Sequence, residues 1–251
     1  MKIAVCIKRV PVMEVRFAIA PGGTSVDEAG LKYDVNDFDL WAVEAALQLK
    51  EKNGNTGEVV VVCLGPDAAQ EQIRKALSMG ADRGVLLKAD KVPADGFAIA
   101  QALAAELQGG GYDVVFFGKM SVDSSNQVVG PMTAELLGLP CVTAVTKLDI
   151  QGGAGTAQRD LEGAVEMVKF PLPVVLTADQ GLAKERLPSL KGIMAAKKKQ
   201  LDVKPAQLGP EQVKVTKLEL PPERAAGRVL GTGADAVPEL VRLLQTEAKV
   251  L

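Results

Sequence analysis

Hydrophobic and polar positions follow each other along this chain in blocks, and the blocks predict strands and helices in turn. Short, wholly apolar runs are typical of strands buried on both faces, as in parallel sheets. Such runs occupy KIAVCI (2–7), EVVVVCLG (58–65), RGVLLKA (83–89) and DVVFFG (113–118). Apolar residues at helical spacing predict helices that begin at Asn36 and Pro66, cover 98–107 and end at Leu137. This alternation predicts a doubly wound α/β sheet.

The pattern changes in the second half of the chain. From Cys141 to Asp179, strand-like pieces follow one another and predict a β-hairpin on or beside the edge of the parallel sheet. Two further strands are predicted at VRFAI (15–19) and VKVTKLEL (213–220), and an amphipathic helix at the end of the chain. The last 70 or so residues have too few apolar positions for a core of their own. They are therefore expected to pack on the main domain or on a partner.

Composition and charge exclude several classes of protein. Apolar residues make up 47% of the 251 residues and charged residues 24%, which is typical of a soluble globular protein. The 29 basic and 31 acidic side chains argue against a dedicated nucleic-acid binder. The opening MKIAVCI predicts a strand and not a signal or transit peptide, and no run of 18 apolar residues occurs. We therefore expect a cytoplasmic protein of the bacterial type with no direct membrane insertion.

The chain contains no histidine. This excludes a Ser–His–Asp or Cys–His nucleophile, a histidine general base and a histidine-containing metal site. The three cysteines, Cys6, Cys63 and Cys141, lie far apart, and each is predicted to be a thiol buried in or beside an apolar run. Asp160 and Glu162 are predicted to share one solvated face of a strand. No pair of catalytic groups is apparent, so the sequence predicts a binding subunit and not an enzyme.

Three segments are predicted to lie at the carboxyl ends of parallel strands, where ligands of such sheets bind. LGPD (64–67) has the pattern of an ordinary strand-to-helix turn, and neither GxGxxG nor GxxxxGK[ST] follows a strand. IKRVPV (7–12) follows the first strand. GKMSVDSSNQ (118–127) carries hydroxyls, amides and a lysine at a helix start, and favours a nucleotide-phosphate site over a run of spare capping residues. One carboxylate there is too few for a metal cage.

Two further segments leave alternatives open. Asn36 is predicted to cap a helix, whereas the position of Phe38 in the same first turn is compatible with solvent, a ligand or the core. LPSLKGIMAAKKK (187–199) places Leu190, Ile193 and Met194 on one helical ridge, directly before three lysines. This pattern is compatible with a surface helix that has a solvated basic end, or with an element that docks another protein.

Together these segments resemble the electron transfer flavoprotein β-subunit family. KIAVCIKRV, DVNDFD, IRKALSMGADRGV, GKMSVDSSNQVVGPMTAELLGLP and LPSLKGIMAAKKK occur in the order and spacing of that family, across essentially the whole chain. The resemblance implies a Rossmann-like three-layer α/β/α sandwich with a mostly parallel sheet, an added β-hairpin and an extended C-terminal arm. It also implies a nucleotide-binding domain over 1–200 that includes a partner recognition loop, 178–200, and an arm over 201–251 that packs on an α subunit.

The resemblance further implies a function without bond-making chemistry in this chain. Proteins of the family are obligate heterodimers whose α subunit carries FAD. They pass electrons from acyl-CoA and other flavin dehydrogenases, as in fatty acid oxidation, to an electron transfer flavoprotein–quinone oxidoreductase. The β subunit usually binds a structural AMP.

The family's functional positions can be placed on this sequence residue by residue. By resemblance, the AMP-binding residues are Cys6, Asn36, Asp37, Phe38, Asp39, Leu64, Gly118, Lys119, Met120, Ser121, Val122, Asp123, Ser124, Ser125, Asn126, Gln127, Val128 and Val129. Met13 and Phe38 would lie near the FAD, with Met13 where some relatives have an aromatic residue. The resemblance assigns partner recognition to Arg186, Leu190, Ile193, Met194, Lys197 and Lys198. Asp160, where Glu is commoner, would contact an arginine of the α subunit's flavin domain.

Three other functions are weighed against this one. In a bifurcating subgroup a second FAD replaces AMP; its loop resembles DGDTAQVGP, whereas DSSNQVVGP lacks the DGDT but ends in the same VGP. The Asn–Gln pair and KGIMAAKKK are closer to the AMP type, which we favour. A stand-alone ATP-binding protein of a related fold would need an SGGxDS or a G-x-x-G-x₉-G-[ST] run, and both are absent. A nucleic-acid binder built on Lys197–Lys199 lacks interleaved aromatic residues.

Overall fold

The computed structural model describes residues 1–223 and 226–251. In these residues a nine-stranded sheet has the order β11-β5-β4-β1-β6-β10-β7-β8-β9, and a two-stranded sheet pairs β2 with β3. The strands are β1 (Lys2–Ile7), β2 (Arg9–Pro11), β3 (Tyr33–Val35), β4 (Glu58–Gly65), β5 (Arg83–Lys88), β6 (Val114–Gly118), β7 (Cys141–Gln151), β8 (Ala154–Leu161), β9 (Ala164–Pro171), β10 (Val174–Ala178) and β11 (Leu201–Pro205). The helices are α1 (Asp37–Lys52), α2 (Gln70–Met79), α3 (Gly96–Leu107), α4 (Val129–Leu137), α5 (Leu190–Ala196) and α6 (Val237–Leu243).

Alternating residues of the central strand β1 face two separate hydrophobic layers. Ile3 and Val5 pack in the layer that includes residues of α1 and α2. Ala4 and Cys6 pack in the opposite layer, which includes residues of α3 and α4. Because β1 is parallel to both β4 and β6, all three strands end at the same edge of the sheet. The structure confirms the predicted α/β sandwich of three layers.

An antiparallel meander extends the sheet at one end. Strand β10 pairs in parallel with β6 and β7, whereas β7, β8 and β9 pair in antiparallel fashion. Strand β9, at the edge of the sheet, is mostly exposed, whereas most residues of β8 are half-buried or buried. The predicted hairpin therefore belongs to a three-stranded meander within the main sheet.

Two predicted strands are not formed. VRFAI (15–19) is not a strand; only Ile19 forms an isolated bridge, with Val26. VKVTKLEL (213–220) is irregular, and Leu218 donates its N–H to the carbonyl of Gly23 at 2.8 Å. Both segments are largely exposed, so their apolar residues have no second layer against which to pack.

The carboxyl-terminal part of the chain differs from the expectation in two further ways. Strand β11 pairs in parallel with β5, so the sheet continues five residues beyond the expected boundary at residue 200. The predicted terminal helix begins at Val237, but its last part, Leu244–Ala248, is a π-helical turn. Among the described residues, no helix combines the length and the apolar character needed to cross a membrane.

Candidate functional site

The predicted binding segments meet at the carboxyl edge of β1, β4 and β6. Residues 119–128, called the polar loop below, connect β6 to α4. The first turn of α1 lies beside this loop, and Lys8 follows the end of β1. The structure therefore brings together three of the segments that the sequence placed at strand ends or helix starts.

The side chain of Asn36 forms hydrogen bonds with the backbone of the polar loop. The residue is buried, its Nδ2 donates to the carbonyl of Met120 at 2.8 Å, and its Oδ1 accepts from the N–H of Val122 at 3.1 Å. It occupies the N-cap position of α1 but makes no side-chain capping bond. The expected capping role of its side chain was wrong, because both polar atoms are used by the loop.

Asp39 joins the ends of β1 and β6. Its carboxylate accepts from the N–H of Lys8 at 2.7 Å and from the N–H of Gly118 at 3.0 Å. Burial raises the pKa of Asp39 to about 7, and the hydrogen bonds from Lys8, Asn36 and Gly118 oppose that rise. A Cβ at Gly118 would overlap Asp39 Oδ1 and the Cβ of Phe38. This close approach requires glycine at the end of β6.

Lys8 supplies the positive charge at the polar loop. Its Nζ lies 2.8 Å from Asp123 Oδ1, 3.1 Å from Ser121 Oγ and 3.5 Å from Ser124 Oγ. Sequence reasoning considered the segment after β1 but did not single out Lys8. Its position as the first polar residue after a buried strand was the available signal.

The side chain of Lys119 points away from the rest of the polar loop. Its Nζ pairs with Asp179 Oδ2 at 2.8 Å, and its N–H donates to the carbonyl of Ala178. Lys119 thus links the end of β6 to the end of β10. The ammonium group that contacts the side chains of the polar loop is that of Lys8.

The backbone of the polar loop is tightly turned. Ser125 and Gln127 have φ values of 55° and 58°, in the left-handed region. Ser125 N–H donates to the carbonyl of Ser121 at 2.8 Å, and the hydroxyls of Ser121 and Ser124 lie 2.8 Å apart. The ammonium group of Lys8 and the hydroxyls of the loop are donors that suit a phosphate, which would take the place of Asp123 as the partner of Lys8. By this criterion the residues fit the nucleotide phosphate that the resemblance implies.

The other residues assigned to nucleotide or flavin lie around this edge. Cys6 and Leu64 are buried in their strands, and burial raises the pKa of the Cys6 thiol well above its usual value. Phe38 is half-buried and packs edge-to-face on Trp41, with ring centroids 4.9 Å apart. Met13 is 46% exposed. The remaining members of the set lie at the start of α1, in the polar loop or at the start of α4: Asp37, Asn126, Val128 and Val129.

An open cleft of about 300 Å³ lies beside the two-stranded sheet of β2 and β3. Its lining residues are Arg9, Leu31, Lys32, Tyr33, Ala68 and Glu71. The guanidinium of Arg9 stacks on the ring of Tyr33, 3.2 Å from its centroid. None of these residues belongs to the set that the resemblance assigns to AMP, so the cleft and the polar loop are separate features of this end of the molecule.

The predicted apolar ridge lies on the surface. Leu190 is 82% exposed, Met194 71% and Ile193 44%, and all three belong to α5. Ser189 caps this helix by accepting a hydrogen bond from the N–H of Gly192 at 3.0 Å. The ridge is helical as predicted, and it does not contribute to the core.

The segment before α5 is tied to α1. Arg186 Nε and Nη2 donate to the carboxylate of Glu44 at 2.7 and 2.9 Å, and Nη1 donates to Glu51 at 2.6 Å. The two carboxylates raise the pKa of Arg186 further, and the guanidinium lowers the pKa of Glu51. Trp41 Nε1 donates to Glu185 at 3.1 Å. The structure thus directs the Arg186 side chain into its own chain, although the resemblance assigned it to partner recognition.

Asp160 is exposed on β8, where its carboxylate accepts from Gln158 Nε2 at 3.0 Å. The sequence analysis expected Glu162 on the same strand, but Glu162 lies in the turn after β8. Over residues 1–223 and 226–251, no group of three or more His, Cys, Asp or Glu side chains is arranged to hold a metal ion.

Comparison with known proteins identifies the same family as the motifs. The Electron transfer flavoprotein domain family matches residues 23–208. The chain is 38% identical to the electron transfer flavoprotein subunit beta of Bacillus subtilis (strain 168), over 100% of both proteins. It is 40% identical to the protein of the same name from Bradyrhizobium diazoefficiens, again over 100% of both. The human protein of that name is 36% identical, over 96% of each chain.

Proposed function

The chain belongs to the electron transfer flavoprotein β-subunit family, and from this premise we propose that it is one subunit of a heterodimeric electron carrier that binds a structural AMP. An α subunit holds the FAD in this proposal. The observation that carries the AMP assignment is the polar loop, which Asn36 and Asp39 hold against the sheet and which Lys8 supplies with positive charge.

Each residue of the site has a specific part in this proposal. Lys8 and the hydroxyls of Ser121, Ser124 and Ser125 would hold the phosphate of AMP. Asp39 would keep the ends of β1 and β6 at the separation that the nucleotide needs. AMP supplies no redox chemistry; it fills the edge of the sheet and stabilises the fold by mass action, because it binds only the folded chain.

Electron transfer itself depends on the flavin of the proposed complex. FAD accepts and donates the electrons when it is bound, while this chain brings the electron donor close to it. Leu190 is the proposed anchor, because it is the most exposed residue of the helical ridge. Lys197 and Lys198 are exposed beside it and would steer an acidic surface of the donor dehydrogenase, so the association rate should fall as salt is added.

Nucleotide analysis of the purified α/β complex tests the cofactor assignment. We expect one FAD and one AMP per heterodimer, both released on denaturation and quantified by chromatography. Two FAD and no AMP would show the bifurcating type, which is favoured only by the VGP that ends DSSNQVVGP. A chain that is stable without an α subunit and that binds ATP would instead support the stand-alone ATP-binding protein.

Substitution of Leu190 tests the docking assignment. In the α/β complex, Leu190→Ala should raise the KM for reduction by an acyl-CoA dehydrogenase about tenfold, because an apolar anchor in a partner pocket is lost. The FAD content and the flavin potential should stay unchanged. Leu136→Ala is the matched control, since Leu136 is also partly exposed but lies on α4, outside the docking ridge. An unchanged KM for Leu190→Ala would contradict the assignment.

A further inference from the structure

Residues 185–199, the docking segment, are fixed at their carboxyl end by an arginine of α2. Arg74 Nη1 donates to the carbonyl of Ala196 and to the carbonyl of Lys199, both at 2.6 Å. These carbonyls lie at and just after the end of α5, where backbone acceptors have no partner within the helix. A cation placed there also interacts favourably with the helix dipole. Arg74 therefore closes the carboxyl end of the ridge helix.

Lys199 makes the reciprocal contact. Its Nζ donates to the carbonyl of Leu77 at 2.9 Å and to the carbonyl of Ala81 at 2.6 Å, at the carboxyl end of α2. Burial lowers the pKa of Lys199, whereas Lys197 and Lys198 are exposed. The three consecutive lysines thus differ in their environment. Two face solvent, and the third binds the end of the neighbouring helix.

The underside of α5 is closely packed on the same helix end. Ala196 is 3% exposed, and a Cβ at Gly192 would overlap the carbonyl oxygen of Ser78. Glycine at position 192 allows α5 to approach α2 closely, while Leu190 and Met194 on the other side remain open. A helix of seven residues is too short to be stable alone in water, so these contacts keep the ridge helical.

We propose that Arg74 and Lys199 are positioning residues that hold the ridge in its docking conformation before the partner arrives. The inference rests on the proposed docking function of Leu190. A preformed ridge avoids the loss of backbone and side-chain entropy that ordering this segment on contact would require. Neither residue needs to touch the partner. Their effect on docking is transmitted through the geometry of α5.

The test uses the α/β complex and measures both docking and the order of α5. Arg74→Gln and Lys199→Met should each raise the KM for an acyl-CoA dehydrogenase about fivefold to tenfold and leave kcat within about twofold. Hydrogen exchange at the amides of Leu190–Ala196 should become faster in both variants without any partner present, because the helix opens more often. Lys199→Arg should restore most of the affinity, since it keeps donors at the same helix end.

A matched control separates this inference from the docking proposal. Lys204→Met removes a cation that pairs with Glu106 of α3, on the opposite side of the sheet from α5, and should leave the KM unchanged. If Leu190→Ala raises the KM while Arg74→Gln and Lys199→Met do not, the positioning role is wrong and the docking proposal stands. If Leu190→Ala has no effect either, both are wrong. If Lys199→Met does not fold, Arg74→Lys gives the decision through the same KM and exchange measurements.

Discussion

The polar loop and the docking segment are both surface segments beside the same sheet, but they are held in opposite ways. The polar loop is held by a buried side chain at the start of α1: Asn36 forms hydrogen bonds with the backbone of the loop. In the docking segment, cations bind the ends of helices, as Arg74 and Lys199 do. The first arrangement places hydroxyls around one ammonium group, whereas the second leaves an apolar ridge in solvent.

This difference shows how one fold can present two kinds of binding surface. The edge of the sheet depends on buried polar groups whose hydrogen bonds have strict geometry, so small changes there should affect the stability of the whole chain. The ridge residues make little contact with the rest of the chain, so changes to them should affect binding and not folding. Four predictions test this comparison.

The largest effect on stability is expected at Gly118, where β6 approaches Asp39 and Phe38 most closely. Gly118→Ala should lower the free energy of unfolding by about 3 kcal/mol, because the new Cβ meets Asp39 Oδ1 and Phe38. Urea unfolding of the full-length chain measures the change. Gly22→Ala is the control, since its Cβ would have room and its effect should stay within about 0.5 kcal/mol. Equal effects of the two substitutions would show that the edge is not tightly packed.

The buried carboxylate at the same edge should make stability depend on pH. The pKa of Asp39 is raised from 3.8 to about 7 in the folded chain, so the folded chain holds this proton more tightly than the unfolded chain does. Its contribution to stability is present below pH 4 and is lost as the pH rises to about 7, at no more than about 1.4 kcal/mol per pH unit.

Asp39→Asn removes this titration while retaining the size of the side chain. Relative to the variant, the native chain should lose stability between about pH 4 and about pH 7, and the difference should become constant above about pH 8. Urea unfolding at several pH values measures this trend. A difference that does not vary with pH would contradict the raised pKa. The carboxylate of Asp39 accepts from the N–H groups of Lys8 and Gly118, whereas the NH₂ group of an asparagine cannot accept from either of them. One of these two hydrogen bonds would therefore be lost, and the variant should bind AMP more weakly.

Loss of the ion pairs of Arg186, at the start of the docking segment, should have an intermediate effect on stability. Arg186→Gln should reduce the free energy of unfolding by about 1–2 kcal/mol, because it leaves the buried carboxylate of Glu44 without its cation; the partial exposure of Arg186 limits the loss. Glu51→Gln should cost less than about 0.5 kcal/mol, since that pair is more exposed. Urea unfolding measures both losses. A larger loss for Glu51→Gln than for Arg186→Gln would contradict this prediction.

The smallest effect on stability is expected at the ridge itself. Leu190→Ala should change the free energy of unfolding by less than about 0.5 kcal/mol, because the side chain is 82% exposed. This is the same substitution that should weaken docking. A loss of more than about 1 kcal/mol would mean that Leu190 packs on the chain and is not free for a partner.

The pattern of apolar residues predicted strands and helices well wherever buried residues recur at a regular spacing. The runs at β1, β4 and β6 are apolar after their first residue because both faces of these strands are covered. The predicted bounds match those of β1 and β4, and β6 begins one residue later than predicted. The ridge of α5 was also visible, because its apolar residues recur at helical spacing. Strand β11 was missed, since LDVKP is a short and mostly exposed edge strand without such a pattern.

The binding edge was located from the sequence, but its contacts were not. The rule that ligands bind at the carboxyl ends of parallel strands identified the segment after β6. It did not reveal that Lys8 approaches Asp123 or that Lys119 turns to Asp179. Lys8 and Asp123 lie 115 positions apart in the chain, and they meet because β1 and β6 are neighbours in the sheet.

The sequence by itself determined the α/β alternation, the absence of histidine chemistry, the polar character of the loop after β6 and the apolar ridge before the lysines. These properties depend on residues near one another in the chain, so their period and composition are sufficient. The tertiary structure alone decided which lysine serves the loop, that Asn36 binds the loop in place of capping α1, and that Lys199 faces inward. Those outcomes depend on which strands and helices become neighbours, and that is set by the packing of the whole sheet.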